Sequence, residues 1–292
     1  MNERLCLLTV HAHPDDESSK GAGSVAKYHA EGVHTVLVCA TGGEEGDILN
    51  PAMDTPEVRE NLHQIRMQEL ERAAEVIGYD EVELLGYRDS GMPDSEANSN
   101  PESFAQADLD EAAGKLVAVI RRTRPQVVVT YNDDQQGYPH PDHIRVHDIS
   151  VLAFDRAGDP DAYPEAGEPW QPLKLYYTMW SRARALATHE KFLELGLESP
   201  FDQKWFDRPS QDERITTRVE ISDYGDIRRQ ALLAHATQID PESPFWFGLP
   251  PEVARTVHPY DDYTLARSLV DTSGQVPEDD LFAGVRDRVA PR

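Results

Sequence analysis

Residues 5–17 read LCLLTVHAHPDDE, an apolar run that ends in two histidines and three carboxylates within its last seven positions. A short run of Leu, Thr and Val without polar alternation is the pattern of a strand buried on both faces, as in a parallel sheet. Its abrupt end puts proton-binding and metal-binding groups just past the strand's carboxyl terminus. A solvated loop would account for such residues singly, so the rest of the chain has to distinguish a loop from a site.

Moving outward, further apolar and β-branched runs at 34–39, 81–85 and 126–131 alternate with segments of helical period at 23–31, 55–77 and 108–122. That alternation predicts an α/β fold with a mainly parallel, Rossmann-like sheet flanked by helices. Thr55 and Pro56 supply a cap and a first-turn proline for the long helix, and Gly32 and Gly78 supply stops. After Tyr131 the pattern loosens: helices at 143–155, 181–195 and 224–237 and strands at 173–179 and 215–221 suggest an additional C-terminal α+β portion. The expected organisation is a metal-binding core over 1–160, with 161–292 packed on it and shaping a substrate pocket.

The chain has 292 residues, 39% of them hydrophobic and 28% charged, which is the composition of a globular protein. A formal charge of −25 repels nucleic-acid phosphates and anionic lipid headgroups, so neither is an expected partner. The opening apolar run is too short for a secretory signal, and no stretch approaches the ~20 apolar residues that span a bilayer. Cys6 and Cys39 each lie inside an apolar run and read as reduced core thiols. The expected setting is cytoplasmic.

A second cluster, GYPHPDH at 137–143, follows the fourth predicted strand. Ligands in open α/β sheets settle beyond the carboxyl ends of the strands, so both clusters can share one site. His13 and Asp16, three positions apart, with His143 make two imidazoles and a carboxylate, a set suited to a zinc-like ion with one open position. Ferrous iron is accepted by the same ligands. Asp15 is then placed as general base. His140 is expected as an imidazolium at the developing oxyanion or the departing amine, Asp142 as the carboxylate that orients its ring, and Tyr138 as a further hydroxyl donor. His11 is expected to be packed and hydrogen-bonded, and Glu17 has no assigned role beyond positioning its neighbours.

The pair AHPDDE and HPDH resembles the signature of the LmbE-like, PIG-L-type zinc deacetylases, which remove an acyl group from an amino sugar. The branch that cleaves mycothiol S-conjugates is matched over most of the chain, in VHAHPDDESSKGA, TGGEEGDILNPAMD, RDSGMP, RPQVVVTYNDDQQGYPHPDHIRVHDIS, GEPWQPLKLYY, TTRVE and AHATQIDP. The resemblance implies hydrolysis of the amide between an S-conjugated N-acetylcysteinyl group and glucosaminyl inositol, releasing a mercapturic acid in detoxification. It implies the same roles for His13, Asp16, His143, Asp15, His140, Tyr138 and Asp142. Arg66 and Asp89 fall where the family binds inositol and sugar hydroxyls, Asp47 where relatives often carry Glu, and Lys20 where the S-conjugate branch has Lys. The bland alternative for Lys20 and Arg66 is a surface salt bridge. Two competing functions remain: the N-acetyl-glucosaminyl-inositol deacetylase of mycothiol synthesis, and a non-catalytic metal-binding domain.

Overall fold

The computed structural model describes residues 4–135, 137–272 and 276–289. Its strands are β1 (Cys6–His11), β2 (His34–Thr41), β3 (Glu81–Tyr87), β4 (Val127–Thr130), β5 (Lys174–Met179), β6 (Thr217–Glu220) and β7 (Tyr260–Ser268), in the spatial order β3-β2-β1-β4-β5-β7-β6. The first five are mutually parallel, and β7 runs antiparallel between β5 and β6. The α/β fold is therefore the one expected, and the residues after 160 continue the same sheet.

Every residue of β1 is buried, because helices cover both faces of the sheet. The helices are α1 (Asp16–Ser19), α2 (Ala22–Ala30), α3 (Pro56–Glu60), α4 (Leu62–Ile77), α5 (Leu109–Thr123), α6 (Pro141–Arg156), α7 (Arg182–Glu194), α8 (Gln203–Asp207), α9 (Gly225–Ala234), α10 (Pro244–Phe247), α11 (Pro251–Val257) and α12 (Arg286–Val289). Alternate side chains of β1 point to opposite faces. Cys6, Leu8 and Val10 pack with Leu116 and Ile120 of α5 and Val146 and Ile149 of α6, while Leu7 packs with Val25 and Tyr28 of α2 and Ile77 of α4. Both cysteines are free and buried, and burial pushes the Cys6 thiol up to about 12. Among the described residues, no helix is long and apolar enough to cross a membrane.

Two local features depart from expectation. The helix expected over 55–77 breaks at Asn61, whose side-chain amide donates back to Glu57 O at 2.8 Å and competes with the helical ladder. Strand β7 went unread because its sequence, YDDYTLARS, carries two buried carboxylates where a strand core is usually apolar. Asp261 accepts from Ser24 N and Oγ at 3.0 Å, and Asp262 from Ser181 Oγ at 2.6 Å, so both acids are satisfied inside the fold.

The sheet order fixes the place of the site. Strand β1 leads to β2 on one side and pairs with β4 on the other, so a crevice opens beyond the carboxyl ends of β1 and β4.

Candidate active site and metal centre

Beyond β1 the chain tightens into a turn, with Asp16 N–H donating to His13 O at 3.3 Å, and α1 begins. His13 Nδ1 then lies 3.3 Å from Asp16 Oδ2. Beyond β4 a polar loop leads to α6, where Pro141 takes the first turn and the His140 ring caps the helix, its Nδ1 accepting from Asp142 N–H at 3.2 Å. That start brings His143 Nε2 to 3.3 Å from the same Asp16 Oδ2. Tyr131 ties the two segments together: its hydroxyl donates to Asp16 Oδ2 at 2.6 Å and accepts from Ala12 N–H at 2.8 Å. Lys20 Nζ closes on the other oxygen of Asp16.

The far nitrogen of His13, Nε2, lies 3.2 Å from Asp142 Oδ2 and 3.5 Å from Asp89 Oδ1. Here the structure corrects one expectation. The Asp142 carboxylate does not orient the His140 ring: it is held by Ser90, through N–H at 2.9 Å and through the hydroxyl, and turned toward His13. His140 meets Asp142 only through the backbone amide, and with Nδ1 accepting, its proton sits on Nε2. Burial, with His13 beside it, moves His140 below the ordinary histidine range and so favours the neutral ring.

Among the described residues, two buried triads could hold a metal, His13–Asp16–His143 and His13–Asp89–His140, each offering donor atoms within 4.8 Å of one another. The residues fit a divalent cation. Burial opposes charge on His13, but the three carboxylates Asp16, Asp89 and Asp142 around its ring raise it well above its usual pKa, so positive charge is favoured where a metal would take the place of that proton. Burial takes His143 down to about 3, which keeps it neutral as a ligand must be. In the first triad the second nitrogen of His13 is backed by carboxylates, the arrangement that fixes a ligating ring.

Asp15 stands between the two ligand candidates with φ 121° and ψ −24°, a conformation that side-chain-bearing residues rarely adopt. Its amide donates to Glu17 Oε2 at 2.9 Å, and its Oδ2 accepts from Arg66 Nη2 at 3.2 Å. Burial raises the Asp15 carboxyl to about 6, against the lowering pull of Arg66. Arg66 is 2% exposed, which rules out the surface salt bridge. Its guanidinium also donates to Pro14 O and Gly43 O, both at 2.6 Å, and a Cβ at Gly43 would lie 2.2 Å from Arg66 Nη1. Gly43 is thus the backbone's means of approaching the guanidinium.

The remaining candidates occupy the same crevice, in a cavity of about 850 Å³. Tyr138 stands at its rim, half exposed, with its ring centroid 5.3 Å from that of His143 and its hydroxyl 3.5 Å from Met92 Sδ. Asp47 lines the cavity with an exposed side chain, while its carbonyl accepts from Gln238 Nε2 at 3.1 Å. Asp89, expected at sugar hydroxyls, lines the same cavity, where its Oδ1 accepts from Gly91 N–H at 2.8 Å and lies 3.5 Å from His13 Nε2. His11 is buried and packed edge-on to Tyr131, but neither ring nitrogen has a hydrogen-bond partner among the described residues, and burial takes it down to about 4.

Three contributors escaped sequence reasoning: Tyr131, Ser90 and His235. Tyr131 closes an apolar strand and reads as core. His235 lies just past α9, fully buried, with Nε2 2.7 Å from Glu17 Oε1. The one available signal was its place in AHATQIDP, a run too polar for a core helix end.

A buried, paired-histidine, multi-carboxylate centre at the carboxyl edge of a parallel sheet, beside a carboxyl raised to about 6, is an arrangement suited to hydrolysis. The family model of the GlcNAc-PI de-N-acetylases, PIG-L, matches residues 8–154, and the chain belongs to that family. It is 50% identical to the mycothiol S-conjugate amidase of Streptomyces coelicolor over 297 aligned residues, covering 98% of this chain and 99% of that one. It is 41% identical to the 1D-myo-inositol 2-acetamido-2-deoxy-alpha-D-glucopyranoside deacetylase of Streptomyces avermitilis, covering 96% and 97%. Among solved structures, N,N'-diacetylchitobiose deacetylase from Pyrococcus horikoshii shares the fold with a TM-score of 0.60 at 17% identity, over 89% of this chain and 83% of that one.

Proposed function

We propose that the protein is a cytoplasmic metal-dependent amidase that cleaves mycothiol S-conjugates. It hydrolyses the amide between the S-substituted N-acetylcysteinyl group and glucosaminyl inositol and releases a mercapturic acid. The observation that carries this reading is the convergence of His13 Nδ1 and His143 Nε2 on Asp16 Oδ2, with the Asp15 carboxyl on the adjacent residue. His13, Asp16 and His143 would hold a zinc or ferrous ion, which when bound supplies Lewis acidity to a water molecule and to the scissile carbonyl. The Asp15 carboxylate, aimed by Arg66, takes a proton from the attacking water. His140, with Nδ1 committed to the helix cap, has Nε2–H left to donate to the oxyanion or the departing amine. Tyr138 at the rim would add a second donor, and Lys20, Asp47 and Asp89, which line the cavity, would meet the substrate.

The choice of S-conjugate over acetyl group is supported by 50% identity to the amidase against 41% to the deacetylase. The test is a comparison of kcat/KM on a mycothiol S-conjugate and on N-acetylglucosaminyl inositol, with the protein loaded separately with zinc and with iron. Preference for the S-conjugate supports the amidase; preference for the acetylated sugar makes it the biosynthetic deacetylase. Tight metal binding with neither substrate cleaved leaves a metal-binding domain.

A further inference from the structure

Past the histidines and carboxylates, the same cavity runs to a wall of aromatic rings that the hydrolytic chemistry does not use. Trp180 follows β5 directly, Phe245 and Trp246 belong to α10, and Trp205 belongs to α8. Trp180 stacks on Phe245 with centroids 5.8 Å apart and 15° between planes. Trp246 meets these rings edge-on at 6.3 and 4.8 Å, and Trp205 lies 6.1 Å from Phe245. Arg184 and Arg208 sit over the Trp180 and Trp205 rings at 5.5 and 5.0 Å. A cluster serving only as core would bury its tryptophans, yet Trp180 is 38% exposed.

The topology sets this wall at a definite reach from the chemistry. Strand β5 is two places from β1 in the sheet, and strands lie ~4.8 Å apart, so Trp180 starts about 10 Å from the end of β1. In the substrate proposed above, the cysteinyl sulfur is three bonds from the scissile carbonyl carbon, on the order of 4 Å. Whatever sulfur carries therefore begins short of the wall and extends onto it.

We propose that Trp180, Phe245, Trp246 and Trp205 form the subsite for the sulfur substituent, selecting planar aromatic or bulky apolar groups. This rests on the S-conjugate reading. Stacked and edge-on aromatic pairs, with guanidinium groups over the rings, accept flat groups of varied outline without a fixed hydrogen-bond pattern. The contact is equally present before and during hydrolysis, so it acts on KM rather than kcat.

The experiment measures kcat and KM of metal-loaded wild type, Trp180→Ala, Trp180→Phe and Trp246→Ala on S-benzyl and S-methyl mycothiol conjugates. Calorimetry with S-benzyl- and S-methyl-N-acetylcysteine reads binding without turnover. The benzyl-to-methyl ratio of kcat/KM is expected to fall about 10-fold in both alanine variants, mainly through KM, and to be largely kept in Trp180→Phe. The calorimetric preference for the benzyl compound should fall with it. An unchanged ratio, or equal loss on both conjugates through kcat, overturns the subsite. If wild type cleaves neither conjugate, the amidase reading fails, and a benzyl preference in calorimetry that alanine at 180 does not reduce overturns the subsite separately.

Discussion

His235 and Glu17, 218 positions apart in the chain, form a fully buried pair in which Nε2 lies 2.7 Å from Oε1. The second oxygen of Glu17 accepts from the amide of Asp15 at 2.9 Å, so a histidine after α9 is linked through one carboxylate to the candidate general base. Burial alone would favour a neutral Glu17, but His235 holds it down to about 2, and Glu17 in turn raises His235, so the ionic form of the pair is favoured.

Removing one partner of such a pair leaves a buried charge uncompensated. His235→Ala is expected to cost about 3–5 kcal/mol of unfolding free energy, with His235→Gln losing less because its amide can still donate to Glu17. Urea denaturation checks this, and a midpoint unchanged in His235→Ala would show that the pair does not hold the turn.

Asp15→Asn keeps the shape of the side chain and removes its basicity. Turnover is expected to fall by roughly 10²–10⁴-fold, while metal content by elemental analysis stays at the wild-type level. Wild-type turnover would remove Asp15 from the proton transfer, and loss of metal would move it into the ligand set.

Arg66 spans the carbonyls of Gly43 and Pro14 and the Asp15 carboxylate with one planar group. A lysine ammonium cannot reach three acceptors in that geometry. Arg66→Lys is therefore expected to lower kcat by about 10-fold or more through misplacement of Asp15, an ångström of displacement being enough for such losses. Equal kcat for Arg66→Lys and wild type would make the fork geometry irrelevant.

Acid sensitivity should trace partly to Asp262. Burial works against its charge, but His258 Nε2 at 2.9 Å, Ser181 Oγ at 2.6 Å and the charge of Arg184 hold its pKa below the ordinary value. The unfolded chain then binds the proton more readily than the folded one, so the stabilisation is present above pH ~4 and is lost as pH falls through the folded pKa. Between pH 5 and 3 the urea midpoint of wild type is expected to drop more steeply than that of Asp262→Asn. Parallel curves would show that Asp262 does not contribute to the acid limb.

How much of this was legible beforehand follows from how locally each feature is encoded. His13 and Asp16 share a turn, and His143 lies in the first turn of α6, so their spacing was readable once both were placed after strands. Asp142 was misread because its orientation is set by Ser90, 52 positions away, and not by its neighbour His140. Arg66 was expected at the substrate's hydroxyls, with a surface salt bridge as the alternative, and nothing in QIRMQEL shows that α4 turns it beneath the Asp15 turn. Strand β7 was hidden by Asp261 and Asp262, whose burial depends on partners from α2 and the start of α7. The sheet was legible from continuous apolar runs, whereas the polar contacts between distant segments had no local pattern to read.

The backbone at Asp15 bears on how this protein could be improved or damaged. At φ 121° the residue the chain would accept with least strain is glycine, and glycine has no carboxylate. Foldability and turnover thus make opposite demands on one position. A selection for heat resistance that scored folding alone would drift toward glycine at 15 and discard the enzyme while perfecting its scaffold.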